Sequence, residues 1–95
     1  MSEINGALSG LKIVACSTAQ AGTVPYMLMA DLGAEVIKIE TPGKGDNNRN
    51  SGFLEGEIGS FFETNNRGVK SLTLNLKSEN GQKILHSLIK DADVF

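Results

Sequence analysis

The apolar positions change period several times along the chain, and each change marks an element. Residues 11–16 (LKIVAC) form a short, mostly apolar run between Gly10 and the small polar pair Ser17 and Thr18, the pattern of a buried parallel strand. The small-residue stretch STAQAGT reads as a loop, and VPYMLMADL after it predicts a helix through Leu32. Thr23 is the expected N-cap, with Pro25 in the first turn, where its missing N–H costs little. Apolar side chains nearly surround this helix, so it is expected to be buried. In MADLGAEVIKIE, Gly33 ends the helix and a second strand follows at 35–40, where Val36, Ile37 and Ile39 favour a pleated surface.

Residues 41–58 (TPGKGDNNRNSGFLEGEI) have no period and read as a surface excursion beside a site. SFFETNN, at 60–66, reads as a brief helix. In SLTLNL, at 71–76, Leu72, Leu74 and Leu76 alternate, which predicts a third strand. Ser78 then caps an amphipathic helix with Ile84, Leu85, Leu88, Ile89 and Ala92 at helical spacing. Val94 and Phe95 look like the opening of a fourth strand. Strand, helix and strand in this order make right-handed βαβ units and an open, parallel α/β sheet. A sheet interrupted at that fourth strand is expected to be the incomplete N-terminal part, 1–95, of a larger domain.

Composition narrows the classes. A 40% hydrophobic, 21% charged chain of 95 residues with net charge −2 is ordinary globular material, neither disordered nor basic enough for nucleic acid. The single Cys16 cannot form an internal disulfide, and MSEINGALSG lacks a signal-peptide pattern, so the cytoplasm is the default expectation. The apolar run at 24–30, broken by Pro25 and followed by Asp31, falls far short of the roughly 20 residues that span a bilayer.

The candidate chemistry is that of binding. CSTAQAGT would lie at the carboxyl edge of the sheet, where open α/β folds hold ligands, and its small residues allow close backbone approach. The alternative is a tight connection with no ligand. The fingerprint G-x-G-x-x-G is absent, since only Gly22 is available, although Glu40 could mimic a ribose-binding acid. PGKGD, at 42–46, does not match G-x-x-x-x-G-K-[ST] and reads as a flexible, solvated turn. His86 has no second ligand at i+4 and reads as a surface residue; no metal site is expected. Cys16, at a strand end, reads as a small buried residue and not as a nucleophile. No catalytic constellation is present.

Several phrases together carry a resemblance: MADLGAEVIKIE, GD followed by Arg49, NNRGVKS, and LTLNLK before a helix ending in ADV. From about Leu8 onward the chain closely resembles the N-terminus of the family III coenzyme A transferases, a superfamily that also contains the alpha-methylacyl-CoA racemases. The resemblance implies a Rossmann-like core within a longer protein that forms an interlocked homodimer and takes CoA thioesters and carboxylic acids as substrates. It places CoA contacts at Gln20 and Ala21, at Thr41, and at Leu74, Asn75, Leu76 and Lys77. Asn75 stands where members often have Asp, and Thr41 where some have a basic residue. Family transferases form acyl and CoA intermediates on an aspartate, which the resemblance places beyond Phe95; Asp31, Asp46, Asp91 and Asp93 do not match its context. This polypeptide alone is therefore expected to be inactive. The other readings are a fragment of a CoA-thioester racemase and a non-catalytic nucleotide-binding module.

Overall fold

The structure is a computed structural model that describes residues 6–17, 19–43, 45–46, 49, 54–55, 58–59 and 66–95, with backbone alone at 19–21, 54–55 and 58–59. Its elements are β1 (Lys12–Ala15), α1 (Ala19–Asp31), β2 (Glu35–Glu40), the two-residue strands β3 (Leu54–Glu55) and β4 (Ile58–Gly59), β5 (Lys70–Thr73) and α2 (Glu79–Lys90). β1, β2 and β5 form a parallel sheet in the order β1-β2-β5, with Ile13 opposite Val36 and Ile39 opposite Leu72. Val94 pairs in parallel with Ile13 on the free side of β1, and its carbonyl accepts the Val14 N–H at 3.0 Å. The expected fourth strand thus starts where a doubly wound sheet reverses direction. β3 and β4 pair antiparallel as a separate hairpin inside and just beyond the stretch expected to be unstructured. The short helix expected at 60–66 lies outside the described residues, apart from Asn66.

The two faces of the sheet carry separate cores. Ile13, Ala15 and Val36 pack with Tyr26 of α1 and with Ala34, joined by Met29 and Ala30. Val14, Ile39 and Leu74 pack on the other face with Leu85 and Leu88 of α2. Odd and even positions of each strand therefore serve opposite layers, the pattern of a central sheet covered on both sides. Leu72 and Leu76 join the α2 side, so the alternation in SLTLNL is real, although β5 itself is shorter and the chain leaves the ladder at Leu74.

The helix boundaries teach two things. α2 begins as expected: Ser78 is extended at φ −92°, ψ 154°, and its hydroxyl accepts the Gly81 N–H at 3.0 Å. α1 begins earlier than expected, at Ala19. Thr23 is not its N-cap but a fully buried interior residue, and Pro25 lies in the middle of the helix. Most of the stretch expected to be a loop is helix, because Ala and Gln are good helix formers. The far end is as expected. Gly33 adopts φ 106°, its N–H bonds the Ala30 carbonyl at 3.0 Å, and the Ala34 N–H bonds that of Met29 at 3.1 Å, which closes a Schellman cap. α1 is also less buried than its composition suggested: Tyr26 and Met27 face the core while Leu28 and Leu32 remain about half exposed.

Candidate functional site

The carboxyl ends of β1, β2 and β5 meet along one edge, and that edge is built from charge as much as from apolar packing. In β2, Val36, Lys38 and Glu40 share one face. Lys38 is 1% exposed and Asp46 fully buried, and the two form an ion pair. The Lys38 ammonium also donates to the Asn66 Oδ1 at 2.7 Å. Buried charges persist only when paired and hydrogen-bonded.

Two positions along, Glu40 accepts a bidentate pair from Arg49, Nε at 2.7 Å and Nη2 at 2.6 Å. Its carboxylate also accepts the Asp46 N–H at 2.9 Å and the Ser71 hydroxyl. The Arg49 guanidinium, aided by Ser71 and the Asp46 amide, holds the Glu40 carboxyl down at about 2 against the opposing effect of burial. The same pair pushes Arg49 further up. Glu40 is therefore committed to the protein's own groups and is not a ribose-binding acid. PGKGD is not a solvated turn throughout: Pro42 and Gly43 are exposed, but Asp46 is a buried anchor.

These anchors flank an open hollow of about 410 Å³ lined by Thr41 and Pro42 on one side and Leu74, Asn75, Leu76 and Lys77 on the other. Five of the residues named for CoA contact thus meet at one place. The far wall is held by local hydrogen bonds: Asn75 Oδ1 accepts the Lys77 N–H at 3.1 Å, the Asn75 carbonyl accepts the Ser78 N–H at 3.1 Å and the Ser78 hydroxyl at 2.9 Å, and the Gln82 side chain donates to the Leu76 carbonyl at 3.0 Å. Lys77 is exposed. Gln20 and Ala21 lie in the first turn of α1 and not in a loop; their side chains lie outside what is described.

A smaller hollow of about 80 Å³ shares Thr41, Leu74 and Leu76 and extends past Glu40 to Cys16. Cys16 is exposed, contrary to expectation, and partial desolvation pushes its thiol up, which favours the protonated form. Beyond it lies an apolar cavity of about 430 Å³ between β1, Val94 and α1, lined among others by Ser17, Tyr26 and Met29. Tyr26 donates to the Ser17 carbonyl at 3.1 Å, and burial, with Asp46 and Glu40 nearby, pushes its hydroxyl up. Among the described residues no cationic side chain lines that cavity, whereas Lys77 lines the Thr41–Lys77 hollow, which of the two large spaces suits an anionic ligand better. His86 is exposed on α2, as expected, and no group of three metal-ligating side chains gathers among the described residues. No helix among them is long and apolar enough to cross a membrane.

Lys38, Asp46 and Asn66 were missed as a set by sequence reasoning. The signal was present: β2 is a central strand, so a lysine and a glutamate in it must be buried and must find partners.

Comparison with known proteins agrees with this architecture. The family model described as CoA-transferase family III matches residues 8–95. An acyl-CoA transferase of Fusarium pseudograminearum is 40% identical over 98% of the chain and 22% of its own length. The human succinyl-CoA:glutarate CoA-transferase is 41% identical over 93% of the chain and 20% of its own. A crystal structure of a CAIB/BAIF family protein from Brucella suis superposes with a TM-score of 0.87 at 37% identity, covering 96% of this chain and 25% of that one. The chain spans about a fifth to a quarter of the length of these relatives.

Proposed function

Because the chain belongs to CoA-transferase family III, we propose that residues 1–95 are the N-terminal, CoA-binding portion of a longer enzyme that moves CoA between carboxylic acids. The observation that carries the reading is the hollow in which Thr41, Leu74, Asn75, Leu76 and Lys77 converge at the carboxyl edge of a parallel sheet. Lys77 offers an ammonium to a phosphate of the CoA nucleotide, Leu74 and Leu76 an apolar floor, and Asn75 a backbone already fixed by its own side chain. Gln20 and Ala21, in the first turn of α1, belong to the same proposed site. An acyl group would be carried on an aspartate outside these 95 residues, and the fragment alone would be inactive. Pairing of two full-length copies belongs to the same proposal.

The transferase reading is preferred to the racemase because the Fusarium and human relatives carry transferase names. Calorimetry of the full-length protein tests it: binding of a CoA thioester is expected, weakened about tenfold or more in Lys77→Ala, the loss of one charge-assisted bond. Absence of binding by any CoA ester would refute it. Transfer of CoA from an acyl-CoA to a free carboxylic acid, against inversion at the carbon next to the thioester carbonyl, separates transferase from racemase.

A further inference from the structure

We propose that Lys38, Glu40, Asp46, Arg49, Asn66 and Ser71 form a positioning clamp that sets the Thr41–Pro42 wall of the hollow and thereby the affinity for its ligand; this rests on the CoA reading above.

Among the described residues, the wall has little to hold it in place by itself. Thr41, Pro42 and Gly43 are exposed, Gly43 and Gly45 take positive φ angles of 89° and 66°, and the backbone bond described across the arc is a long one, Gly45 N–H to the Thr41 carbonyl at 3.2 Å. Its ends are fastened by charge. Glu40, the last residue of β2, reaches across the arc to the Asp46 N–H and to Arg49, while Lys38 seizes the Asp46 carboxylate from below. The closure is tight: a Cβ on Gly45 would lie 2.5 Å from the Glu40 Oε1 and 2.9 Å from the Arg49 Nε. Ser71 and Asn66 join the clamp to β5 and to the turn before it.

Stability alone is a poor account of this arrangement, because well-packed apolar side chains often serve a buried site as well as an ion pair or better. What charges add is directionality. The fork of Arg49 on Glu40 fixes one geometry, which packing of aliphatic side chains would not impose on an exposed arc. None of the six side chains lines the Thr41–Lys77 hollow, so their effect on a ligand there passes through the wall.

The test uses the full-length protein at a temperature where each variant is folded by a cooperative thermal scan. CoA affinity is measured by calorimetry for wild type, Arg49→Lys, Arg49→Met and the milder Ser71→Ala, alongside hydrogen exchange of the 41–46 amides. Expected are affinity losses of about tenfold for both Arg49 variants, because lysine keeps the charge but not the fork, and a few-fold loss for Ser71→Ala. Exchange should accelerate in the arc while the α2 amides are unchanged. A folded Arg49→Met protein with wild-type affinity and wild-type exchange at 41–46 would overturn the clamp. If wild type itself binds no CoA, the function reading fails, and the exchange result alone decides whether the clamp sets the wall.

Discussion

The two walls of the Thr41–Lys77 hollow are held by opposite means. The Leu74–Lys77 wall rests on an apolar layer, Leu74 and Leu76 against Leu85 and Leu88, and on neutral turn and cap bonds around Asn75 and Ser78. The Thr41–Pro42 wall hangs from buried and half-buried charges. Neutral caps and apolar contacts are nearly indifferent to acid, whereas carboxylates with depressed pKa values are not. One rim of a single site should therefore yield to protonation and charge deletion while the other stays put.

The strongest way to break this contrast is Lys38→Met. Removing the ammonium takes the Lys38 partner away from the fully buried Asp46, and a loss of about 3–5 kcal/mol is expected in urea denaturation of the full-length protein. Acid is next. The Glu40 carboxyl lies at about 2 in the folded state against an ordinary 4.5. Its contribution is thus complete above about pH 4.5 and is lost as the pH falls from there toward 2. The size is on the order of 2 kcal/mol, less than the full shift implies, because Arg49 is partly open to solvent. Glu40→Gln should flatten the slope of stability against pH in that window; an unchanged slope would mean that the carboxylate is not held by Arg49.

On the other wall, Ser78→Ala removes the N-cap of α2 and should cost about 1 kcal/mol, equally at pH 4 and pH 7. Any pH dependence in that loss would blur the distinction between the walls. The smallest effect belongs to the exposed Lys83–Glu79 pair at 3.5 Å. Lys83→Met should change stability by less than about 0.5 kcal/mol and leave both walls intact.

Much of the fold was legible because each layer leaves a periodic trace. Alternation at Leu72, Leu74 and Leu76 marked the strand edge facing α2, and Ser78 and Gly33 marked helix ends through their own backbone chemistry. The start of α1 was not legible. Thr23 and Pro25 look like an N-cap and a first turn locally, and the preference of Ala19–Ala21 for helix is too weak a signal to outweigh them until β1 is in place. The site was legible only in part. Lys77 and Leu74 were named through the family resemblance and not by any local period, and the pairing of Lys38 with Asp46 and Asn66 spans 8 and 28 residues. No local period encodes such a pair; only the burial of both faces of β2 demands it.

The most direct measurement is the crystal structure of the full-length protein with a CoA thioester bound. A phosphate of the nucleotide is expected within hydrogen-bond reach of the Lys77 Nζ, with the ligand passing between Pro42 and Leu76. A CoA seated in the apolar cavity beside Tyr26 and Met29, with the Thr41–Lys77 hollow empty, would contradict it.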